Sequence, residues 1–196
     1  MDGNGRWAQA RGLPREAGHR AGAETVRTIV TECRRLGIRH LTLYTFSSEN
    51  WSRPKTEVSA LFSLLLEFLG QEVPRMEREG IRLNILGDME ALPLAARTVR
   101  AVRSMMAEGL RPEDVTEQSL ADHLYTAGQP DPDFLIRTSG EQRLSNYLLY
   151  QCAYSEFYFT PTPWPDFGVE ALHEALAVYA GRSRRFGKTQ EQINGR

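Results

Sequence analysis

Two apolar periods alternate along the chain. Val26, Ile29, Val30, Cys33 and Leu36 follow the i, i+3, i+4, i+7 spacing of one helix face, and Gly37 sits where a helix stops. His40 to Phe46 then alternates, with Leu41, Leu43 and Thr45 on one side and Thr42, Tyr44 and Phe46 on the other, which predicts a strand. Ser47 to Pro54 reads as a loop. Thr56 can cap a following helix with apolar positions Val58, Leu61, Leu64, Leu65, Phe68 and Leu69. Ile81 to Leu86 predicts a second strand, ending at Gly87-Asp88, and a helix follows through Ala107. Thr116 caps a short helix to Leu124. Asp133 to Thr138 predicts a third strand, because Phe134, Leu135 and Ile136 are consecutive, as in a parallel strand buried on both faces. Leu144 to Gln151 reads as helix, Glu156 to Thr160 as a fourth strand and Val169 to Gly181 as a last helix. Alternating strand and helix predicts an α/β protein, a three-layer fold with a largely parallel central sheet flanked by helices. Ligands in such sheets bind beyond the carboxyl ends of the strands.

Composition narrows the partners. The chain has 196 residues, 25% charged and 41% hydrophobic, which suits one domain over 1–196 with a sizeable core. Its net charge of -1 provides no global field for nucleic acid, so an anion site must be local. Apolar runs such as Leu64 to Leu66 are far too short to cross a bilayer, and the polar start Met1-Asp2-Gly3-Asn4 is not a signal peptide. Cys33 and Cys152 stand far apart without metal-type spacing and read as buried free thiols.

Four polar clusters carry the candidate chemistry. In Asp2-Gly3-Asn4-Gly5-Arg6-Trp7, two glycines let backbone N–H groups turn toward an anion and Arg6 adds a charged donor. The same residues also suit a Gly-Asn turn with a surface arginine. Gly3, Gly5 and Ala8 fit G-x-G-x-x-A, with Glu24 where a ribose-binding acid would lie, but a dinucleotide site needs a strand just before the loop and none precedes it. Arg15 and Gly18-His19-Arg20-Ala21-Gly22 form the second cluster. There His19 near a helix start can donate to a phosphate or serve as an ordinary capping or core residue. The third, Phe46 to Pro54, packs Ser47, Ser48, Glu49, Asn50, Trp51 and Arg53 into one strand-to-helix loop. In the fourth, Leu135 to Asn146, Arg137 ends a buried strand and Arg143 precedes a helix, so both can face one anion. A carboxylate at Glu156 facing Asp2 would suit Mg²⁺, which takes one or two carboxylates plus substrate phosphate and water. Arginines around glycine loops and two acids suit a diphosphate, and the apolar helix after Glu57 suits hydrocarbon, although such a helix is more often plain core.

Five blocks resemble the signatures of undecaprenyl diphosphate synthases, the cis-prenyltransferases, in family order. They are Asp2-Gly-Asn-Gly-Arg-Trp-Ala8; Gly18-His19-x-Ala-Gly22; Leu41-Thr-Leu-Tyr-x-Phe-Ser-Ser-Glu-Asn-Trp-x-Arg-Pro54; Leu135-Ile-Arg-Thr-x-Gly-Glu-x-Arg-Leu-Ser-Asn146; and Ala153-Tyr-x-Glu156 with Trp164-Pro-Asp-Phe167. The likeness runs from residue 1 to Arg185-Phe186-Gly187. It implies condensation of isopentenyl diphosphate with an allylic diphosphate such as farnesyl diphosphate, giving a Z-polyprenyl diphosphate for cell-wall glycan carriers. It further implies Asp2 as the essential acid positioning Mg²⁺, with Glu156 completing the metal site. Gly3, Asn4, Gly5, Arg6, Arg15 and His19 would hold the starter diphosphate. Trp7, Ser47, Ser48, Glu49, Trp51 and Arg53 would contact substrates and a mobile loop. Asn50 would serve proton removal by orienting the proton, since an amide is a poor base. Arg137, Arg143, Leu144 and Ser145 would hold isopentenyl diphosphate. A cytoplasmic homodimer, pairing through Trp164 to Phe167 and Arg182 to Phe186, is implied, peripheral at the inner face of the membrane where product is released.

Two departures accompany the resemblance. The family's strand before the Asp-Gly-Asn-Gly loop is absent, and so is a strand–helix segment of several dozen residues after Gly87-Asp88. Ser139 also replaces a usual glycine. The alternative reading is therefore a non-catalytic relative acting as a partner subunit, against which the retained Asp2, Asn50, Arg137, Arg143 and Glu156 argue.

Overall fold

The computed structural model describes residues 1–46, 48–86 and 95–183, without the side chains of residues 48, 49 and 95–100. The chain forms two compact units, Met1–Thr45 with Asp131–Arg196, and Phe46–Pro130.

The first unit is α/β with a parallel sheet flanked by helices, as the sequence predicts. It contains α1 (Asn4–Gln9), α2 (Arg15–Arg35), β1 (Phe134–Arg137), β2 (Glu156–Phe159) and α6 (Val169–Ala180). β1 and β2 pair in parallel, with Phe134 opposite Glu156 and Arg137 opposite Phe159. Side chains alternate along a strand, so Phe134, Ile136 and Tyr158 share one face. That face packs on Ile29 and Cys33 of α2, Leu172 and Ala175 of α6, and Trp164 and Phe167 between them. The helical period at Ile29 and Cys33 and the strand period at Phe134 and Ile136 thus meet in one core.

The second unit contains α3 (Lys55–Arg78), α4 (Ala95–Ala107) and α5 (Glu117–Asp122). Thr116 closes a capping box with Ser119, as its position predicts. α3 begins one residue before the expected cap at Thr56, with Pro54 at its N-cap, because the fixed φ of proline suits a helix start.

Three expected elements are not formed. His40 to Phe46 and Ile81 to Leu86 are irregular rather than strands. Alternation fits these segments for a sheet, but a strand also requires a hydrogen-bonded neighbour. Leu144 to Gln151 is a series of turns rather than a helix. Ser145, Asn146 and Leu148 have φ of 47°, 63° and 44°, and left-handed residues interrupt the i to i−4 ladder. The expected strand end at Gly87-Asp88 and the Arg185-Phe186-Gly187 block lie outside the described residues.

Candidate active site

The glycine loop becomes the start of α1. Gly3 precedes the helix with φ of 91°, a conformation that favours glycine. Two glycines of α2 let α1 approach closely. A Cβ at Gly18 would collide with the Asn4 carbonyl, and one at Gly22 would lie 2.7 Å from Asn4 Oδ1. Arg15 lies against the same helix, since a Cβ at Gly5 would come within 2.8 Å of its guanidinium carbon. His19 is half-buried on α2. The first two sequence clusters therefore form one structure.

Asp2 sits where α1 meets the carboxyl end of β1. The Asp2 N–H donates to Thr138 Oγ1 at 3.0 Å, and that hydroxyl donates back to the Asp2 carbonyl at 3.1 Å. The Trp164 N–H donates to the same carbonyl at 2.9 Å. With its backbone held, the Asp2 carboxylate accepts from the Gly3 N–H at 2.7 Å and from Arg137 at 3.1 Å, while Arg6 approaches to 3.5 Å. Burial raises the Asp2 pKa, but the hydrogen bonds from Arg137 and Gly3 and the charges of Arg137 and Arg6 outweigh it and hold the carboxyl below its ordinary value.

Glu141 extends the network. Its carboxylate pairs with Arg6 at 2.9 Å and with Arg143. The Arg143 hydrogen bond is the main cause of its lowered pKa. Arg137 also donates to Ser145 Oγ at 3.1 Å and to the Arg143 carbonyl. Three guanidiniums thus converge on two carboxylates at the end of a parallel strand, leaving an excess of positive charge suited to phosphate oxygens.

The structure brings together Asp2, Gly3, Asn4, Gly5, Arg6, Arg15, Arg137, Arg143 and Ser145 in the first unit. Leu144 follows Arg143 in the turn segment and is half-buried. The Trp7 indole N–H donates to Asp166 at 2.7 Å. Asn50, Trp51 and Arg53 lie in the second unit. There Phe46, Trp51 and Phe62 form a ring cluster with centroids 5.2–5.5 Å apart, and Arg53 pairs with Glu57 at 3.2 Å. Ser47 lies outside the described residues, as do the side chains of Ser48 and Glu49.

Glu156 stands apart from Asp2 within the chain. It opens β2 opposite Phe134, three register positions before the end where Arg137 meets Asp2, a separation of roughly 10 Å along the strand. Its carboxylate accepts from Arg182 at 2.8 Å. Among the described residues no group of three or more His, Cys, Asp or Glu side chains could hold a metal ion. Asp2 alone still fits Mg²⁺, which can bind through one carboxylate with phosphate oxygens and water completing its shell. Thr138 and Glu141 are the residues that sequence reasoning missed. Both lay inside a quoted block, but what each holds is set by partners far along the chain.

A strand-end site of this charge and geometry suits the binding of phosphate groups. The family described as putative undecaprenyl diphosphate synthase matches residues 1–99 and 96–187, and the chain belongs to it. An isoprenyl transferase of Geobacter sulfurreducens is 45% identical over 229 positions, covering 100% of this chain and 93% of that one. Another, of Clostridium tetani, is 45% identical and covers 95% and 86%. Lavandulyl diphosphate synthase from Lavandula x intermedia, solved in complex with dimethylallyl diphosphate, superposes with a TM-score of 0.91 at 34% identity, covering 96% and 95%. A probable undecaprenyl diphosphate synthase from Campylobacter jejuni gives 0.74 at 27% identity, covering 86% and 92%. The family is one of prenyl chain elongation. The 229 aligned positions exceed the 196 residues of the chain, so the Geobacter relative carries positions without counterpart here. The two family matches meet at residues 96–99, in the stretch following Gly87-Asp88.

Proposed function

We propose that the chain is a Mg²⁺-dependent cis-prenyltransferase. It condenses isopentenyl diphosphate with an allylic diphosphate, such as farnesyl diphosphate, into a Z-polyprenyl diphosphate that serves as lipid-carrier precursor for cell-wall glycans. The observation that carries this reading is the convergence of Arg6, Arg137 and Arg143 on Asp2 and Glu141. Gly3 to Arg6, Arg15 and His19 bind the starter diphosphate, and Arg137, Arg143 and Ser145 bind the isopentenyl diphosphate. The allylic C–O bond breaks and the electron pair leaves with the diphosphate. The homoallylic double bond forms the new C–C bond at the allylic carbon, and a proton leaves C2 of the isopentenyl unit to restore an alkene. Arg6 and its neighbours stabilise charge that develops as the diphosphate departs. Bound through Asp2, Mg²⁺ would add Lewis-acid stabilisation to that charge. Asn50 orients the departing proton toward a phosphate oxygen or water; this role and those of Ser47, Ser48, Glu49, Trp51 and Arg53 rest on the family resemblance alone.

A homodimer belongs to the same reading, but not through Trp164 and Phe167, which are 6% and 2% exposed. Tyr154 and Phe159 remain open on the first unit. No helix among the described residues is long and apolar enough to cross a membrane. A cytoplasmic location, with product released at the inner membrane face, belongs to the proposal on the family resemblance alone. The test is elongation with radiolabelled isopentenyl diphosphate in Mg²⁺ or EDTA. A folded chain inactive in Mg²⁺ would favour the partner-subunit alternative.

A further inference from the structure

α1 has only six residues and no side-chain cap, so it is not stable by itself and tertiary contacts must place it. One flank rests on Gly18 and Gly22 of α2. A second hold comes from a short 3-10 turn, Trp164–Asp166. Asp166 uses both carboxylate oxygens: Oδ1 accepts from Trp7 Nε1 at 2.7 Å and Oδ2 from Arg11 at 3.2 Å. The Arg11 guanidinium also lies 4.2 Å from the centroid of the Trp7 ring and donates to the Trp7 carbonyl at 3.3 Å. Asp166, Trp7 and Arg11 thereby close a ring of contacts.

An exposed ion pair alone contributes little. Here the indole bond is charge-assisted and the cation–π contact joins the two held residues to each other. The turn that carries Asp166 is itself anchored. Trp164 is buried, its indole donates to the Gly22 carbonyl at 2.8 Å, and its backbone N–H donates to the Asp2 carbonyl at 2.9 Å. Thr25 donates to the Pro165 carbonyl at 3.1 Å. One turn therefore fixes both the backbone of Asp2 and the far side of the helix that carries Arg6.

We propose that Asp166 is a positioning residue: by gripping Trp7 and Arg11 it sets α1, and so aligns Arg6 and Asp2 for the departing diphosphate. The activity arm of its test rests on the prenyl-transfer reading; the spectroscopic arm does not. The full chain is labelled with 5-fluorotryptophan, and Trp7 is assigned by Trp7→Phe. In Asp166→Ala the fluorine resonance of Trp7 is expected to move more than those of Trp51 and Trp164. Turnover is expected to fall about 10–100-fold, as for other supports of a metal or phosphate site. The Michaelis constant for isopentenyl diphosphate should stay unchanged, because Arg137, Arg143 and Ser145 lie off α1. Asp166→Asn, which keeps an oxygen for the indole, should recover part of both signals. Should Asp166→Ala not fold, Arg11→Gln and Asp166→Asn carry the comparison. An unmoved Trp7 resonance overturns the proposal, as does a turnover loss matched by an equal rise in the isopentenyl diphosphate Michaelis constant. If the unmutated chain does not elongate, the prenyl-transfer reading fails separately and the fluorine shift alone decides whether Asp166 sets α1.

Discussion

In the first unit, side-chain hydrogen bonds join residues more than a hundred positions apart: Asp2 with Arg137, Trp7 with Asp166, and Trp164 with Gly22. In the second, bonds such as Arg53 to Glu57, Arg75 to Glu79 and His123 to Glu108 span only four to fifteen positions. The second unit also leaves large apolar side chains open, Leu66 at 70%, Met106 at 69% and Ile85 at 61%. The two family matches meet within it, overlapping at 96–99. Charge chemistry needs groups held at fixed separations, and the first unit supplies them by cross-links. The second supplies helical apolar surface, for which local order suffices.

The largest effect expected from this contrast is at Asp2. Asp2→Ala should lower turnover at least about 10²–10³-fold while starter affinity, measured by calorimetry, changes little. Arg143→Ala should first raise the Michaelis constant for isopentenyl diphosphate. Retained turnover in Asp2→Ala would remove the assignment.

Packing should discriminate next. Gly18→Ala drives a methyl into the Asn4 carbonyl and should destabilise the protein by about 1–3 kcal/mol in denaturant unfolding. A loss below that range would show that α1 can shift at little cost.

Acid and base should act on the two units in opposite directions. Buried Glu32 is held down to about 2 by hydrogen bonds from Arg35 and His173. A depressed folded pKa gives stability that is full above the ordinary value of 4.5 and lost as pH falls toward 2. His123 is raised by its bonds to the Ser119 carbonyl and Glu108. Its contribution is full below 6.5 and is lost as pH rises through the folded value. Hydrogen exchange from pH 3 to 8 should show α2 and α6 loosening toward acid and α5 toward base. Glu32→Gln and His123→Ala should each flatten one trend, and parallel trends would contradict the assignment.

The smallest effect is a gain. A Cβ at Gly70, within α3, meets nothing within 4 Å, so Gly70→Ala should add up to about 1 kcal/mol. A loss would reveal a contact on that face of α3.

The same contrast explains what the sequence disclosed. β1 was legible because Phe134, Leu135 and Ile136 are consecutive, and the α2 face because Ile29 and Cys33 keep the helical period. Asp2, Arg6 and Arg137 stood out through a glycine loop and a strand end. Ile81 to Leu86 misled because alternation encodes a face but not a partner. Leu144 to Gln151 misled because its apolar spacing could not show that Ser145 and Asn146 turn left-handed beneath Arg137. Glu141 and Asp166 were unreadable as site residues, since the arginines and indole they hold are fixed by the fold rather than by neighbouring sequence.

The bonds from Thr138 and Trp164 to the Asp2 backbone also order events in time. Asp2 emerges from the ribosome long before either partner, and contacts of such sequence separation close late and slowly. A nascent chain stalled before Trp164 therefore holds every residue of the glycine loop and none of its finished geometry. On the proposed reading, the chemistry at Asp2 waits until Trp164 has been made and has docked on the Asp2 carbonyl.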